Sequence, residues 1–433
     1  MRQKLLRSGA DELSYEIRGI VKKAEELQAL GYSVFWENIG DPIQKNRQVP
    51  EWMKEIIIDQ LQQDRTYGYS HSKGLIETRQ FLADRTNALG GVQITTNDIC
   101  FFNGLGDAIG KIYQYLLPTA RVIGPSPAYS THSSAEAAHA NAHPITYKLD
   151  PDNNWYPDLE DLYMKVKYNE SIVGLLVINP DNPTGMVYPR SILEKMVEIA
   201  REFNLFLIFD EIYQNITYNE AVTATMAEVI GEVPGIAMKG ISKEFPWPGA
   251  RCGWVEYYNR KSDKEFDRLC QTLDNAKMIE VSSTTLPQRV IPRIMNDPRY
   301  KVFLEETNRH IGERSLLMNE YFKDIPFIQF NQTNGAFYNT IIFKEGVLNC
   351  DQKLKIENQQ VQALLDSWLT PDMPLDKRFV YYMLAAKQVV VVPISAFYSE
   401  LLGFRMTLLE EDPDIRETIY QRIKEGLMEY CQS

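Results

Sequence analysis

An amide, a carboxylate and an amine stand just past three separate apolar runs in the middle of this chain. Asn182 follows the run Ile172–Ile178, Asp210 follows Leu205–Phe209, and Lys243 follows Ile236–Met238 through Gly240-Ile241-Ser242. Arg251 comes eight residues after Lys243. A lysine amine can hold a carbonyl compound as an imine and then serve as a base. A carboxylate can keep a heterocyclic nitrogen protonated, an amide can hold an oxygen, and an arginine can hold a phosphate. Between the first two runs, Pro189 to Phe203 carries Ile192, Leu193, Met196, Val197 and Ile199 at helical spacing. Strand, helix and strand in that order make a parallel sheet. Open sheets of this kind bind ligands outside the carboxyl ends of their strands, where all three groups would converge.

The rest of the chain supplies the frame. Residues from about 11 to 30 read as an amphipathic helix, with Leu13, Ile17, Ile20, Val21, Ala24 and Leu27 on one face and Gly31 as its stop. From about residue 311 helix signals mix with Phe337–Phe343 and Gln388–Val392 as strands, which reads as a smaller α+β part. Asn349–Lys377 is polar and broken by Pro371 and Pro374, so it reads as an insertion or a mobile segment. The expected division is a large cofactor-binding domain over 49–310, with 1–48 and 311–433 together forming the small one.

Bulk properties narrow the functional classes. With 433 residues, 44% hydrophobic and 24% charged, the chain can bury a sizeable core without staples. A net charge of −12 argues against nucleic acid or an anionic membrane as partner, so anions must be captured by local groups. The five cysteines, Cys100, Cys252, Cys270, Cys350 and Cys431, are scattered without C-x-x-C spacing, which reads as reduced thiols. The five histidines (His71, His132, His139, His143, His310) show no metal-ligand spacing and read as structural or exposed, so no metal is expected. The first residues lack an apolar signal region and no stretch is long enough to span a membrane. A cytoplasmic protein is the expectation.

Amine chemistry on a carbonyl cofactor needs an electron sink, which pyridoxal phosphate is, together with the groups named above. The segment KGISKEFPWPGARCGW resembles the S-K-x(7)-R-x-G signature of class I/II aminotransferases, the pyridoxal-phosphate enzymes of fold type I. That resemblance implies that Lys243 is the Schiff-base lysine and that Arg251 binds the phosphate. NPDNPTG is similar to the family's N-P-x-N-P-T-G, which assigns Asn182 to the cofactor's O3′ and to the substrate carboxylate. FDEIY matches D-E-x-Y, with Asp210 on the pyridine N–H and Tyr213 donating to O3′. NGLGDAI resembles the phosphate cup, where the backbone N–H groups of Gly104, Leu105 and Gly106 would point at the phosphate. Tyr129, in Pro127-Ala128-Tyr129, stands where the family stacks an aromatic on the ring. TYGYSHSKGL resembles the segment whose tyrosine, here Tyr69, crosses to the neighbouring subunit's phosphate, which implies a homodimer with shared sites. NIGDP and GFRMT match the outer motifs, with Gly40 offering its backbone to the substrate carboxylate and Arg405 clamping it.

These matches run from Gly40 to Arg405 in the family's order. Gly240 departs from them, since many members carry a phosphate-binding Ser or Thr there; EFPWPGA is unusually proline-rich. Y-E-I-R-G, N-I-G-x-P, G-Y-S-x-S-K-G-L and G-x-S-K resemble bacterial alanine aminotransferases most. The expected fold is α/β, a large domain with a mostly parallel seven-stranded sheet plus a smaller α+β domain. The expected reaction moves an amino group between an amino acid, preferably alanine or glutamate, and a 2-oxo acid, pyruvate or 2-oxoglutarate. Competing activities on the same scaffold are an aspartate or broad-specificity aminotransferase and a β-lyase. A non-enzymatic aminotransferase-like regulator is disfavoured, because Lys243, Asp210, Asn182, Tyr213 and Arg251 are all retained and no room precedes the motifs for a DNA-binding domain.

Overall fold

The computed structural model describes residues 5–13 and 16–433, with backbone alone at 16–18. Eight strands form the main sheet in the order Ile99–Phe102, Gly253–Tyr258, Gly235–Gly240, Phe206–Asp210, Ile172–Ile178, Arg121–Ser126, Thr146–Asp150, Tyr156–Pro157. The five from Gly235–Gly240 through Thr146–Asp150 run parallel; Gly253–Tyr258 and the edge piece Tyr156–Pro157 run antiparallel to their neighbours. The two-residue edge piece is the strand beyond the expected seven. It forms where Trp155 turns the chain back onto Thr146–Asp150, with its backbone N–H donating to Asp150 O at 2.7 Å.

The central strands are buried on both faces, as continuous apolar runs in a parallel sheet require. Alternate side chains feed two cores. Leu175, Val177, Leu207, Phe209 and Ala237 pack with Leu193, Met196 and Val197 of the helix Arg190–Glu202. Leu176, Ile178, Ile208, Ile236 and Met238 pack on the other face with Ile109 and Ile112 of Leu105–Tyr115 and Cys270 and Leu273 of Lys264–Ile279. Ile178, Asp210 and Met238 lie level in register, so the groups that follow these strands emerge at one edge.

A third core joins the two ends of the chain. Phe35 and Trp36 pair in parallel with Val389 and Val390. Ile20, Ala24 and Leu27 of the helix Glu16–Gln28 pack with residues from the C-terminal part, among them Leu384 and Leu427. The four-stranded antiparallel sheet there runs Ile328–Phe330, Tyr338–Phe343, Gly403–Thr407, Val392–Pro393. The helix Pro298–Phe322 bridges the cores, with Tyr300 in one and Ile311, Met318 and Phe322 in the other.

Two expectations change. The first helix begins at Glu16, because the 3-10 turn Ala10–Glu12 ends with Leu13 in an extended conformation; Leu13 is exposed. The side chain of Ile17 lies outside the described residues. The polar stretch Asn349–Lys377 is packed structure: its helix Gln359–Trp368 buries Val361, Leu365 and Trp368, one face at helical spacing. Trp368 Nε1 also donates to Glu26 at 2.8 Å.

Candidate active site

A cavity of about 780 Å³ opens at the carboxyl edge of the main sheet. Gly40, Leu105, Gly106, Tyr129, Asn182, Asp210, Tyr213, Lys243, Arg251 and Arg405 line it, so ten of the residues singled out from sequence meet in one place. Four cations, Lys22, Lys243, Arg251 and Arg405, face two carboxylates, Glu25 and Asp210. The local balance is therefore positive in an acidic protein, as capture of an anionic ligand demands.

Asp210 is the last residue of its strand and 3% exposed, on the face occupied by Ile208. Its Oδ1 accepts from Ile212 N at 3.2 Å and its Oδ2 lies 3.0 Å from His132 Nε2. Tyr213, just beyond, is buried with its hydroxyl 3.1 Å from that of Tyr338. Burial holds the Tyr213 phenol far above its ordinary range and Tyr338 adds to the effect, so it stays a proton donor.

Asn182 follows its strand through the turn Asn179–Gly185, in which Asp181 accepts from Thr184 N at 3.0 Å and from Thr184 Oγ1 at 2.5 Å. Arg405 Nη1 donates to Asn182 Oδ1 at 2.9 Å, and Asn182 lines the cavity. Arg405 is far from an ordinary surface arginine. It is 2% exposed, sits on the strand Gly403–Thr407 paired with Thr340 and Val392, and lies between the rings of Tyr338 (4.3 Å) and Phe397 (5.0 Å). Its Nη2 donates to Asn38 O at 2.6 Å, while Nε is buried with no partner among the described residues. Lys243 Nζ donates to Gly40 O at 2.7 Å.

Arg251 closes the opposite end. The loop after Lys243 carries Trp247 and Pro248 into the 3-10 turn Pro248–Ala250, and Arg251 then adopts a left-handed conformation (φ 49°). That turn lays its guanidinium against Gly104, where a Cβ would stand 2.5 Å from Nη2. Gly104, at φ +85°, caps the helix Leu105–Tyr115, whose first-turn N–H groups have no acceptor within the helix. Gly104 is not among the residues that line the cavity, and neither is Tyr69, which is 86% exposed. A side chain at Gly240 would press on Cys252 O and Ile212 Cδ1, both 3.1 Å from an added Cβ.

Sequence reading passed over three neighbours. His132 lies one turn into the helix Ser130–Ala140, where only the fold brings it to Asp210. Tyr338 faces Tyr213 and Arg405 from the small sheet. Asn38 lines the cavity with both side-chain amide atoms buried and without a partner among the described residues. Asn38 stood in NIGDP, where the motif drew notice to Gly40 instead.

Residues 37–418 match the family model "Aminotransferase class I and II". An uncharacterised aminotransferase of Methanocaldococcus jannaschii is 50% identical over 433 residues, the whole of both chains. The glutamate–pyruvate aminotransferase AlaA of Haemophilus influenzae is 34% identical over 84% of this chain and 90% of its own. Among solved structures, an alanine aminotransferase from Pyrococcus furiosus superposes with a TM-score of 0.85 at 26% identity, covering 98% of this chain and 100% of that one. The architecture is that of fold type I, an α/β fold with a mostly parallel large sheet. With its matched region spanning the cavity from Gly40 to Arg405, the chain belongs to the class I and II aminotransferases and is a transaminase.

Proposed function

We propose that this aminotransferase works with pyridoxal phosphate and exchanges the amino group between alanine and 2-oxoglutarate, as a homodimer. The observation that carries the reading is the single cavity in which Lys243, Asp210, Asn182 and Arg405 face one another. Its lining residues support the cofactor reading. Arg251 and the helix N-terminus at Leu105 and Gly106 make a phosphate cradle, and a side chain at Gly104 would collide with the Arg251 guanidinium that belongs to it. Tyr129 offers a ring face, Asp210 a carboxylate for the ring nitrogen, and Tyr213 and Asn182 donors for O3′.

When bound, pyridoxal phosphate supplies a carbonyl that condenses with amines and a ring that takes up electrons as the substrate's α-proton leaves. Lys243 Nζ holds the cofactor between turnovers and, once released, carries the proton from the substrate's α-carbon. Asp210, steadied by His132, keeps the ring nitrogen protonated when electron density builds there. Arg405 and the Asn182 amide orient the substrate carboxylate, and the buried setting strengthens both contacts. The same residues serve both half-reactions, with an amino acid entering in one and a 2-oxo acid in the other.

The alanine–glutamate pair is supported by the names of the relatives and by apolar Val21 and Ile39 on the cavity wall beside the exposed Lys22. The dimer is supported by Tyr69 and by exposed Ile279 and Val281, close in sequence to Ser283, whose carbonyl accepts from Ser70. Cytoplasmic placement fits five unpaired cysteines; among the described residues no helix is long and apolar enough to cross a membrane. Purified protein given a panel of amino acids with 2-oxoglutarate or pyruvate should turn over alanine and glutamate fastest, and Lys243→Ala should abolish turnover. Preference for aspartate, or release of ammonia without an acceptor, would replace the alanine reading; an active Lys243→Ala variant would remove the lysine from its role.

A further inference from the structure

Segment 37–45 touches both functional cations through its backbone. Asn38 O accepts from Arg405 Nη2 at 2.6 Å and Gly40 O accepts from Lys243 Nζ at 2.7 Å. The segment has no ladder of its own beyond Glu37, whose N–H donates to Val390 O at 2.9 Å. What closes it is an ion pair. Lys45 Nζ donates to Glu37 Oε1 at 2.5 Å, bending the intervening chain into a loop, and also reaches Glu410 Oε2 at 3.4 Å. Glu37 Oε2 accepts from Thr407 Oγ1 at 2.7 Å, and Thr407 N donates to Glu37 O at 3.1 Å. Thr407 stands two residues beyond Arg405 on the same strand and so shares its face. Glu37, Lys45, Thr407 and Glu410 are all nine-tenths buried or more.

A buried ion pair of this kind is a poor source of stability, because desolvation cancels most of its attraction, whereas it fixes geometry well. Here the geometry it fixes is that of two carbonyls whose other partners are Arg405 and Lys243. We propose that Lys45 is a positioning residue of the amino-transfer reaction. It locks segment 37–45 against the Arg405 strand, so that the Asn38 and Gly40 carbonyls hold the carboxylate-binding guanidinium and the reactive amine in register. The inference rests on the proposed roles of Arg405 and Lys243.

The test uses full-length protein reconstituted with pyridoxal phosphate. Lys45→Met should lower kcat/KM for the amino acid and the 2-oxo acid alike by about ten- to a hundred-fold, the scale of a misplacement near 1 Å. The loss should fall mainly on KM, and cofactor retention should stay as in the wild type, since the Arg251 cradle is untouched. Glu37→Gln combined with Lys45→Met should recover part of the loss, because no charge is then left buried without its partner. Thr407→Val keeps the shape, removes one donor and should give a smaller shift of the same kind; it carries the test if Lys45→Met does not fold. Leu365→Ala, a remote core change, should lower the melting temperature and leave KM alone. Wild-type KM values in a folded Lys45→Met variant, or in Thr407→Val where that variant carries the test, would overturn the inference. So would a KM rise in Leu365→Ala equal to that of Lys45→Met at matched stability. Arg405→Lys is measured beside them: if it leaves KM unchanged, the carboxylate reading of Arg405 fails; if it raises KM while Lys45→Met does not, the inference about Lys45 alone fails.

Discussion

His132 Nε2 lies 3.0 Å from Asp210 Oδ2, with the imidazole 1% exposed. A carboxylate oxygen accepts, so Nε2 is the donor of this pair, while Nδ1 is buried with no hydrogen-bond partner among the described residues. Asp210→Ala should lower kcat by about a hundred-fold or more while cofactor still binds, the scale seen when one preorganised charge contact is removed. His132→Phe should cost roughly ten-fold, matching one hydrogen bond to a charged group, and Asp210→Glu should outperform Asp210→Ala. Steady-state kinetics with saturating cofactor decides; a loss of only a few-fold in Asp210→Ala would defeat the electron-sink assignment.

Tyr69 is 86% exposed and is not among the residues that line the cavity at the sheet edge. If it serves a second copy, Tyr69→Phe should weaken cofactor retention about ten- to a hundred-fold, one charge-assisted hydrogen bond. Mixing Lys243→Ala subunits with subunits carrying Tyr69→Phe and a further cross-interface defect should restore one working site per heterodimer. Verified heterodimers with no recovered activity, or a fully active monomer in sedimentation, would refute the shared site.

Asp181 is fully buried beside Asn182, and burial pushes its carboxyl up to about 7. Its folded value lies above its unfolded one, so the unfolded chain loses its proton first as pH rises. Stability from this group is complete below about pH 4 and is lost up to about pH 7, at no more than ~1.4 kcal/mol per pH unit. Asp181→Asn should therefore melt progressively higher relative to the wild type between pH 5 and pH 7, and hold a constant difference above that. A difference flat across that window, in paired thermal melts, would show that Asp181 stays ionised.

The parts of the site legible in sequence were those tied to strand ends. Asn182, Asp210 and Lys243 follow apolar runs, and a parallel sheet brings such positions to one edge whatever the loops do. His132 was not legible, because its contact with Asp210 crosses 78 residues and its own helix carries no periodic apolar face. Tyr338 looked like one more strand residue until the small sheet placed it across from Tyr213. Lys45 and Glu37 belong to no motif and carried no signal in sequence; the return of the chain at Thr407 and Glu410 brings their partners. The helix Gln359–Trp368 was misread because its three buried residues are diluted in a polar stretch, and composition outweighed spacing.

The bond between Arg405 and Asn38 spans 367 residues. A ribosome that has finished the main sheet has therefore made every strand behind Asp210 and Lys243 and still lacks Tyr338 and Arg405 of the pocket. Until the strand Gly403–Thr407 clears the exit tunnel, the Asn38 carbonyl lacks Arg405 and the Glu37 carboxylate lacks Thr407, although the Glu37 N–H can already pair with Val390 O. Contacts between such distant segments form late, after the loop between them has been ordered. The nascent chain thus acquires its sheet early and its grip on substrate last, so an unfinished copy has no complete site with which to compete for amino acids.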